Sequence, residues 1–294
     1  MMLERIIFKY LCHTSDTKRL KSMHIPDDIE RKLNISYGEH GKWNLLDVYY
    51  PQKTDKPLPA IVSIHGGGYV YGTKDEYQYY CMDLAQRGFI VVNFTYRLAP
   101  KIKFPVPVIE TNEVMKWVCS NAASYLIDLE NIFIVGDSAG AQIAGQYSAI
   151  VTNPEYAALF ALDVPNFKLR AIALNCGMYD LFQEFKSPLP GLVENYFGKD
   201  FNAHGDRLNV LKFINGNFPP AFIMSCANDF LLPYARPMFE HLQEKGIESV
   251  CEIFGTEEQK EIGHVFHLDI RSPAAKLCND KECEFFMKFV VQGN

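Results

Sequence analysis

The sequence has no uninterrupted apolar run of about 18 residues, the length that a membrane-spanning helix needs. Its first residues are interrupted by Glu4, Arg5 and Lys9, and no small-residue cleavage site follows. We therefore expect neither a membrane span nor a secretory signal. An excess of positive charge is also missing, because 35 Asp and Glu outnumber 29 Lys and Arg and give a net charge of −6. This balance excludes nucleic acid as an expected partner and argues against attraction to an anionic membrane.

Cysteine occurs eight times, but not in a pattern that builds a site. The residues are too scattered for a disulfide scaffold, and Cys278 and Cys283 lack C-x-x-C spacing and histidine partners. We therefore predict no metal site and a reducing, cytoplasmic location. Apolar surface is abundant: 48% of the residues are hydrophobic, including 21 Phe and 16 Tyr, which excludes a disordered chain.

Short apolar, β-rich runs alternate with longer amphipathic stretches through most of the chain. The runs are residues 44–50, 60–65, 89–96, 131–136, 171–176, 221–227 and 250–254. The stretches of helical length are residues 76–87, 107–125, 139–151, 233–245 and 273 to about 291. From residue 60 onward the runs do not alternate strictly, which is typical of strands covered on both faces. The pattern predicts an α/β fold with a mostly parallel sheet flanked by helices.

Two segments interrupt this alternation. Residues 1–33 precede the first predicted strand and include a charged stretch, residues 27–33, for which we expect a helix. Residues 178–218 are rich in Pro, Gly and Phe and lie between two predicted core strands. Long irregular connections at such places are usually lids or binding elements. We therefore predict a single domain, residues 1–294, with a small cap formed by residues 1–33 and 178–218.

The first chemical motif is GDSAG, in which Ser138 follows an apolar strand directly and precedes a helix rich in small residues. A nucleophile elbow needs this strand–turn–helix context, and small neighbours let the strand and helix approach closely. The serine could instead simply cap the helix. Because the context fits the elbow, we interpret Ser138 as a nucleophile.

The second motif, His65-Gly66-Gly67-Gly68, follows the predicted strand 60–65. Glycines allow the backbone to turn several N–H groups toward one point, as the oxyanion of a tetrahedral intermediate requires. A phosphate cradle is the alternative, but the sequence lacks the Lys-Ser/Thr of a Walker loop and the G-x-G-x-x-G spacing. We expect His65 itself to be structural.

The order of HGGGYVYG, YRLAP and GDSAG resembles the hormone-sensitive-lipase-like family of α/β-hydrolase esterases. The resemblance covers about residues 35–292. It implies an α/β-hydrolase fold of about eight strands, hydrolysis of carboxylic esters, no cofactor, and a cap built partly from the N-terminal segment. By the same pattern, the oxyanion donors are the N–H groups of Gly67, Gly68 and Ala139. Lys101, Ala141 and Phe230 depart from residues common in the family.

The acid and base of a hydrolase follow its serine in chain order. Asp229 comes at the end of the buried run 221–227, where catalytic groups gather in open α/β sheets, and it is our predicted acid. Asp180, after the run 171–176, is the rival acid, whereas Asp137 is expected to be structural. His264 lies after the last strand and matches the family's G-H-x-F pattern, which makes it the predicted base. His267 is the alternative.

These residues predict a serine carboxylesterase that acts through a Ser138–Asp229–His264 triad and an acyl-enzyme. A catalytically silent binding protein on the same scaffold and a small arylamidase or peptidase are the alternatives. The short cap favours small acyl groups, with acetylated sugars among the candidate esters. Tyr69 and Tyr196 are the predicted substrate-binding residues, and Tyr71, Phe182, Phe185 and Phe197 are further aromatic candidates for the pocket. The expected partner is a small-molecule ester, and a homodimer is left open.

Overall fold

A computed structural model describes residues 2–182 and 190–292 of the chain. Its centre is an eight-stranded sheet in the order β1-β2-β4-β3-β5-β6-β7-β8. The strands are β1 Ile29–Ser36, β2 Leu45–Pro51, β3 Leu58–Ile64, β4 Ile90–Phe94, β5 Ile127–Asp137, β6 Leu169–Asn175, β7 Ala221–Cys226 and β8 Ser249–Phe254. β2 pairs antiparallel with β1 and β4, and the pairs from β4 to β8 are parallel. The predicted mostly parallel, eight-stranded α/β-hydrolase sheet is confirmed.

Helices cover both faces of this sheet. They are α1 Met2–Leu20, α2 Lys74–Ala85, α3 Val106–Tyr125, α4 Ala139–Thr152, α5 Pro154–Ala158, α6 Pro190–Phe197, α7 Val210–Phe213, α8 Leu232–Glu244 and α9 Pro273–Met287, with 3₁₀ turns at Gly41–Asn44, Phe201–Leu208 and Phe266–Leu268. Thr73 caps the start of α2: its hydroxyl oxygen accepts a hydrogen bond from the Asp75 N–H at 3.2 Å, and the Glu76 carboxylate accepts one from the Thr73 N–H at 2.8 Å. Of the helices that the structure describes, none combines the length and apolarity needed to cross a bilayer.

The central strands are buried on both faces, which is why their sequences read as continuous apolar runs. Every residue of β4 and β7 is buried, and two apolar clusters fill the spaces between the sheet and the helices on either side. The edge strands differ: most residues of β1 and β8 are partly or fully exposed. The predicted strands and helices of the core and the edge strand β8 therefore match the structure closely, whereas the edge strand β1 was not predicted.

The expected helix at residues 27–33 is wrong. Residues 29–33 belong to β1, which pairs with β2 from Ile29 opposite Pro51 to Ser36 opposite Leu45. The charged side chains that suggested a helix lie on an edge strand, where charge discourages pairing with another chain. Backbone pairing with β2 overrides the local helical preference. Of the predicted N-terminal segment, residues 2–28 lie outside the sheet, and α1 forms most of them.

The segment 178–218 contains α6, the 3₁₀ turn Phe201–Leu208 and α7, so part of it is more regular than its Pro and Gly content suggested. Tyr196 and Phe197 of α6 are buried, and α1 packs against α6. Both lie beside the carboxyl ends of the parallel strands, where binding sites form in open α/β sheets. Whether they act as a cap remains a prediction.

Candidate active site

Ser138 occupies a sharp turn between β5 and α4. Its backbone has φ of +52°, a left-handed conformation that strains a residue with a side chain. Two glycines permit the turn: a Cβ on Gly136 would lie 2.3 Å from the Gly140 carbonyl oxygen, and one on Gly140 would lie 2.1 Å from that of Ile64. Because no larger residue fits at either position, strand, turn and helix approach closely and hold Ser138 above the sheet edge.

His264 bridges Ser138 and Asp229. Its Nε2 lies 3.0 Å from Ser138 Oγ, and its Nδ1 lies 2.8 Å from Asp229 Oδ1. When the Nδ1–H donates to the carboxylate, the lone pair of Nε2 faces the serine hydroxyl. The structure therefore brings together three side chains from separate loops, in the order that proton transfer from a serine requires.

Asp229 is held by several donors. The Ser225 hydroxyl donates to its Oδ2 at 2.8 Å, and the Leu231 N–H donates to its Oδ1 at 2.8 Å. Burial alone would raise the pKa of Asp229, but the hydrogen bonds and charge of His264 and the Leu231 N–H outweigh it and lower this pKa. A carboxylate that stays ionised can orient an imidazole and stabilise its charged form.

The two alternative residues lie elsewhere. Asp180 accepts a hydrogen bond from the Phe182 N–H at 2.9 Å in a local turn. His267 is fully buried, with its ring edge-on to Tyr80 at 5.1 Å between centroids. Burial lowers the pKa of His267 to about 3, so this imidazole is neutral. The structure thus places Asp229 and His264, but neither alternative, next to Ser138.

The three residues expected to supply oxyanion donors line the same cavity as Ser138. Gly67 and Gly68 have φ of +107° and +57°, and a Cβ on Gly67 would lie 2.1 Å from the Tyr71 carbonyl oxygen. Ala139 is the first residue of α4. Among the residues that the structure describes, no protein group accepts a hydrogen bond from the N–H of Gly67, Gly68 or Ala139. These donors are available to an oxyanion.

Buried hydrogen bonds through Tyr77 connect the turn at Ser138 with the glycine loop. The Tyr77 hydroxyl donates to Asp137 Oδ2 at 2.8 Å and accepts from the Gly66 N–H at 2.8 Å. Burial raises the pKa of Asp137 to about 7. His65 stacks on Tyr96 with 4.0 Å between ring centroids, and burial lowers its pKa to about 4. Sequence reasoning missed Tyr77, because nothing in α2 marks it as a partner of the elbow.

A cavity of about 380 Å³ opens over Ser138. Its apolar wall includes Met178, Phe230 and Leu231 from the sheet edge, together with Phe8 and Leu11 from α1 and Leu192 and Val193 from α6. From the sequence we expected the N-terminal segment to belong to a cap but named none of its pocket-facing residues, which have no motif. They recur at helical spacing, however, and that periodicity was the available signal.

The predicted substrate-binding aromatics divide into two groups. Tyr69 and Tyr71 line the cavity. Tyr196 is fully buried and stacks behind Tyr69 with 4.3 Å between ring centroids, so it supports the wall from behind. Phe197 is also buried, and Phe182 is largely exposed. Phe185 lies outside the described residues.

Polar contacts attach α1 to the rest of the site. Asp16 accepts a hydrogen bond from the Tyr71 hydroxyl at 2.9 Å and one from Arg19 at 2.7 Å. Arg19 also donates to the carbonyl oxygens of Leu268, at 3.2 Å, and Glu76, at 3.1 Å. Since Leu268 follows His264 by four residues, these bonds join α1 to the loops that carry His264 and the glycines.

In the described part of the chain, one trio of side chains has metal-ligating atoms close together. Cys176, Asp229 and His264 each offer one such atom within 4.8 Å of the others. Two of the three, Asp229 and His264, already bind each other, His264 also binds Ser138, and Cys176 is buried. The arrangement is therefore that of a hydrogen-bonded relay.

The BD-FAE family model matches residues 46–245, more than half of the chain. The versiconal hemiacetal acetate esterase of Dothistroma septosporum is 30% identical over 205 residues, which are 65% of this chain and 62% of that protein. The probable carboxylic ester hydrolase LipM of Mycobacterium tuberculosis is 28% identical over 239 residues, 76% of this chain and 54% of that protein. The match thus spans less than two thirds of each of these two relatives.

Among solved structures, esterase B of Lactobacillus rhamnosis superposes with a TM-score of 0.90 at 22% identity, covering 98% of this chain and 95% of that one. The same esterase has been solved with a tributyrin phosphonate inhibitor. These findings confirm the resemblance to hormone-sensitive-lipase-like hydrolases. The chain belongs to the BD-FAE family and has the α/β-hydrolase fold.

Proposed function

We propose that this protein is a serine carboxylesterase for small, short-acyl esters, with Ser138 as nucleophile. The observation that carries the proposal is the continuous hydrogen-bonded relay from Ser138 Oγ through His264 to Asp229, at 3.0 and 2.8 Å. A binding protein without catalytic activity would not need all three side chains in one hydrogen-bonded chain beside available oxyanion donors.

In the first half of the reaction, Ser138 Oγ attacks the ester carbonyl carbon while His264 Nε2 takes its proton. The carbonyl oxygen becomes an oxyanion, which accepts hydrogen bonds from the N–H groups of Gly67, Gly68 and Ala139. When the tetrahedral intermediate collapses, the bond to the alcohol oxygen breaks and His264 returns the proton to that oxygen. Asp229 stabilises the imidazolium throughout.

In the second half, water replaces the alcohol. His264 takes a proton from this water, the hydroxide attacks the acyl carbon, and the same N–H groups bind the second oxyanion. Collapse breaks the acyl–Ser138 bond, and His264 returns the proton to Ser138 Oγ. The acid is released and the enzyme is restored.

Cavity size and lining support the substrate class. A cavity of 380 Å³ is near the lower end of the roughly 300–1,000 Å³ range of small-molecule sites, which suits a short acyl chain and a small alcohol. The lining side chains are mostly apolar, with Ser15 and Asp16 among the few polar ones. This favours alkyl or aryl acetates and butyrates over acetylated sugars, which need several hydrogen-bonding groups. A relative named for an acetate ester and a neighbour inhibited by a tributyrin phosphonate agree with this class.

The nucleophile can be tested by chemical labelling and by substitution. A fluorophosphonate should add to Ser138, as located by peptide mass mapping, and Ser138→Ala should lower p-nitrophenyl acetate turnover about 10³-fold or more at unchanged thermal stability. Ser148→Ala is the matched control, since Ser148 lies on the same helix, α4, and its buried hydroxyl has no partner among the described residues.

Labelling at another serine, or an active Ser138→Ala variant, would contradict the assignment. A chain-length series from acetyl to octanoyl, with acetylated xylo-oligosaccharides and p-nitroanilides alongside, separates the esterase from the sugar esterase and the arylamidase.

A further inference from the structure

The first half of α1 turns its apolar side chains outward. Phe8 and Lys9 are half-buried against the body of the protein. The exposed residues between Met2 and Leu11 are all apolar, and 47–70% of the surface of each is accessible to solvent. We call these residues the apolar face: Met2, Leu3, Ile6, Ile7, Tyr10 and Leu11. A surface helix normally buries its apolar stripe, so this reversed orientation indicates a binding surface.

Positive charge flanks this face on the side of Met2, in a region that also contains Glu194. Lys9 lies close to Arg5 and Lys101: burial, followed by these two like charges, lowers its pKa. Arg5 also lines a shallow groove with Lys103 and Lys199 beside Met2. We call these five cations the basic rim. The net charge of the chain is −6, but salt screens each charge beyond about 8–10 Å, so the basic rim acts locally despite the negative total.

The apolar face continues into the mouth of the cavity. Leu11 is 60% exposed and also lines the cavity over Ser138. Phe8, Cys12 and Ser15 form the adjoining part of the cavity wall. A surface that binds the apolar face of α1 therefore lies beside the entrance to the candidate active site.

We propose that the apolar face and the basic rim dock the protein on the surface of an anionic phospholipid bilayer. A helix that presents large apolar side chains flanked by Lys and Arg is suited to the boundary between headgroups and acyl chains. A second copy of the chain fits less well. A two-fold contact through α1 would bring the five cations of the rim close to those of the partner, whereas anionic headgroups would neutralise them.

The test uses the full chain carrying Ser138→Ala, so that lipid hydrolysis cannot affect the measurement. Binding is measured by sedimentation with vesicles of phosphatidylcholine alone or with about one third phosphatidylserine. We expect at least tenfold stronger partitioning onto the anionic vesicles. Ile6→Ser/Ile7→Ser should weaken it at least tenfold, and Lys101→Glu/Lys103→Glu should weaken it about fivefold or more for each cation lost.

Leu277→Ser/Met287→Ser is the matched control, because these residues are similarly exposed, at 52% and 51%, on α9. It should leave vesicle binding unchanged. The same substitutions are also made in the chain that keeps Ser138. There, neither Ile6→Ser/Ile7→Ser nor Leu277→Ser/Met287→Ser should alter hydrolysis of dissolved p-nitrophenyl acetate, and unchanged hydrolysis shows that the variants are folded.

Three results would overturn the proposal. They are failure to bind anionic vesicles, equal weakening by the α9 control, and a dimer in light scattering that Ile6→Ser/Ile7→Ser converts to monomer. The last result would assign the face to a second copy of the chain. Because vesicle binding is measured without catalysis, its outcome is independent of the proposed esterase activity.

Discussion

At the scale of single residues, the candidate site depends on positions where one chemical group is required. At Gly67, Gly136 and Gly140, an added Cβ would lie only 2.1–2.3 Å from a backbone carbonyl oxygen. Any side chain there would therefore displace the glycine loop or the turn at Ser138. Asp229 is required for a different reason. Its charge and its acceptor geometry determine which nitrogen of His264 carries the proton.

Asp229→Asn should therefore remove activity with little change in structure. A neutral amide can turn its NH₂ toward His264 Nδ1, which places the ring proton on Nε2, where it can no longer accept from Ser138. We expect a loss of about 10³–10⁴-fold in kcat for p-nitrophenyl acetate. Asp180→Asn, a matched change in a local turn, should stay within about twofold. If the Asp180 variant were the inactive one, the acid would be misassigned.

At the scale of secondary-structure elements, α1 and α6 determine the shape of the cavity. Phe8 of α1 and Leu192 of α6 converge on the glycine loop: a Cβ on Gly68 would lie 3.3 Å from Phe8 Cζ and 3.1 Å from Leu192 Cδ1. Since Phe8 faces inward and Ile7 outward on the same helix turn, the two positions separate an effect on the cavity from an effect on the surface.

Phe8→Ala should shift the acyl preference toward longer chains. Removing the ring extends the cavity, and each additional buried methylene contributes about 0.8 kcal/mol, or about fourfold in kcat/KM. The measurement is the ratio of kcat/KM for octanoyl and acetyl p-nitrophenyl esters, which should rise several-fold in Phe8→Ala and stay constant in Ile7→Ala. A uniform loss across all chain lengths would mean that Phe8 only stabilises the docking of α1.

At the scale of the whole molecule, Glu282 is a buried carboxyl that joins three elements. On α9, it accepts hydrogen bonds from Tyr80 of α2 at 2.8 Å and from the side-chain amide of Asn175 of β6 at 2.6 Å. The backbone carbonyl of Asn175 accepts from the Ser138 N–H at 2.8 Å. Burial raises the pKa of Glu282 to about 7, although Asn175, Tyr80 and Arg87 oppose the shift.

This carboxyl should make the protein less stable as the pH rises. Between about pH 4.5 and 7 the folded state keeps the Glu282 proton and the unfolded chain loses it, so the free energy of unfolding falls across that window. Glu282→Gln removes this dependence. Relative to wild type, its free energy of unfolding should gain up to about 3 kcal/mol between those pH values.

Urea unfolding at several pH values measures the effect, and Glu284→Gln, an exposed change on the same helix, is the control. Parallel pH profiles for wild type and Glu282→Gln would show that Glu282 does not titrate in this window.

Much of this protein could be predicted from sequence because its signals are local. Strands buried on both faces have continuous apolar sequences, and the glycines of HGGG and GDSAG stand where the backbone leaves no room for a side chain. The positions of Ser138 and Asp229 after strands follow from the same alternation of strands and helices, and His264 was found by chain order and the family's G-H-x-F pattern. For these residues, the chemistry is encoded within a few neighbours.

Tertiary structure decided what depends on distant partners. β1 is a strand because β2 supplies its hydrogen bonds, although its charged sequence suggested a helix. Tyr77 reaches Asp137 across sixty residues, and α1 lines the cavity through contacts with loops that its own sequence does not specify. Asp229 and Asp180 both follow neighbouring parallel strands, and only the packed chain shows which carboxylate meets His264. Local sequence records burial and turn geometry, whereas pairing between remote segments depends on free energies that are summed over the whole fold.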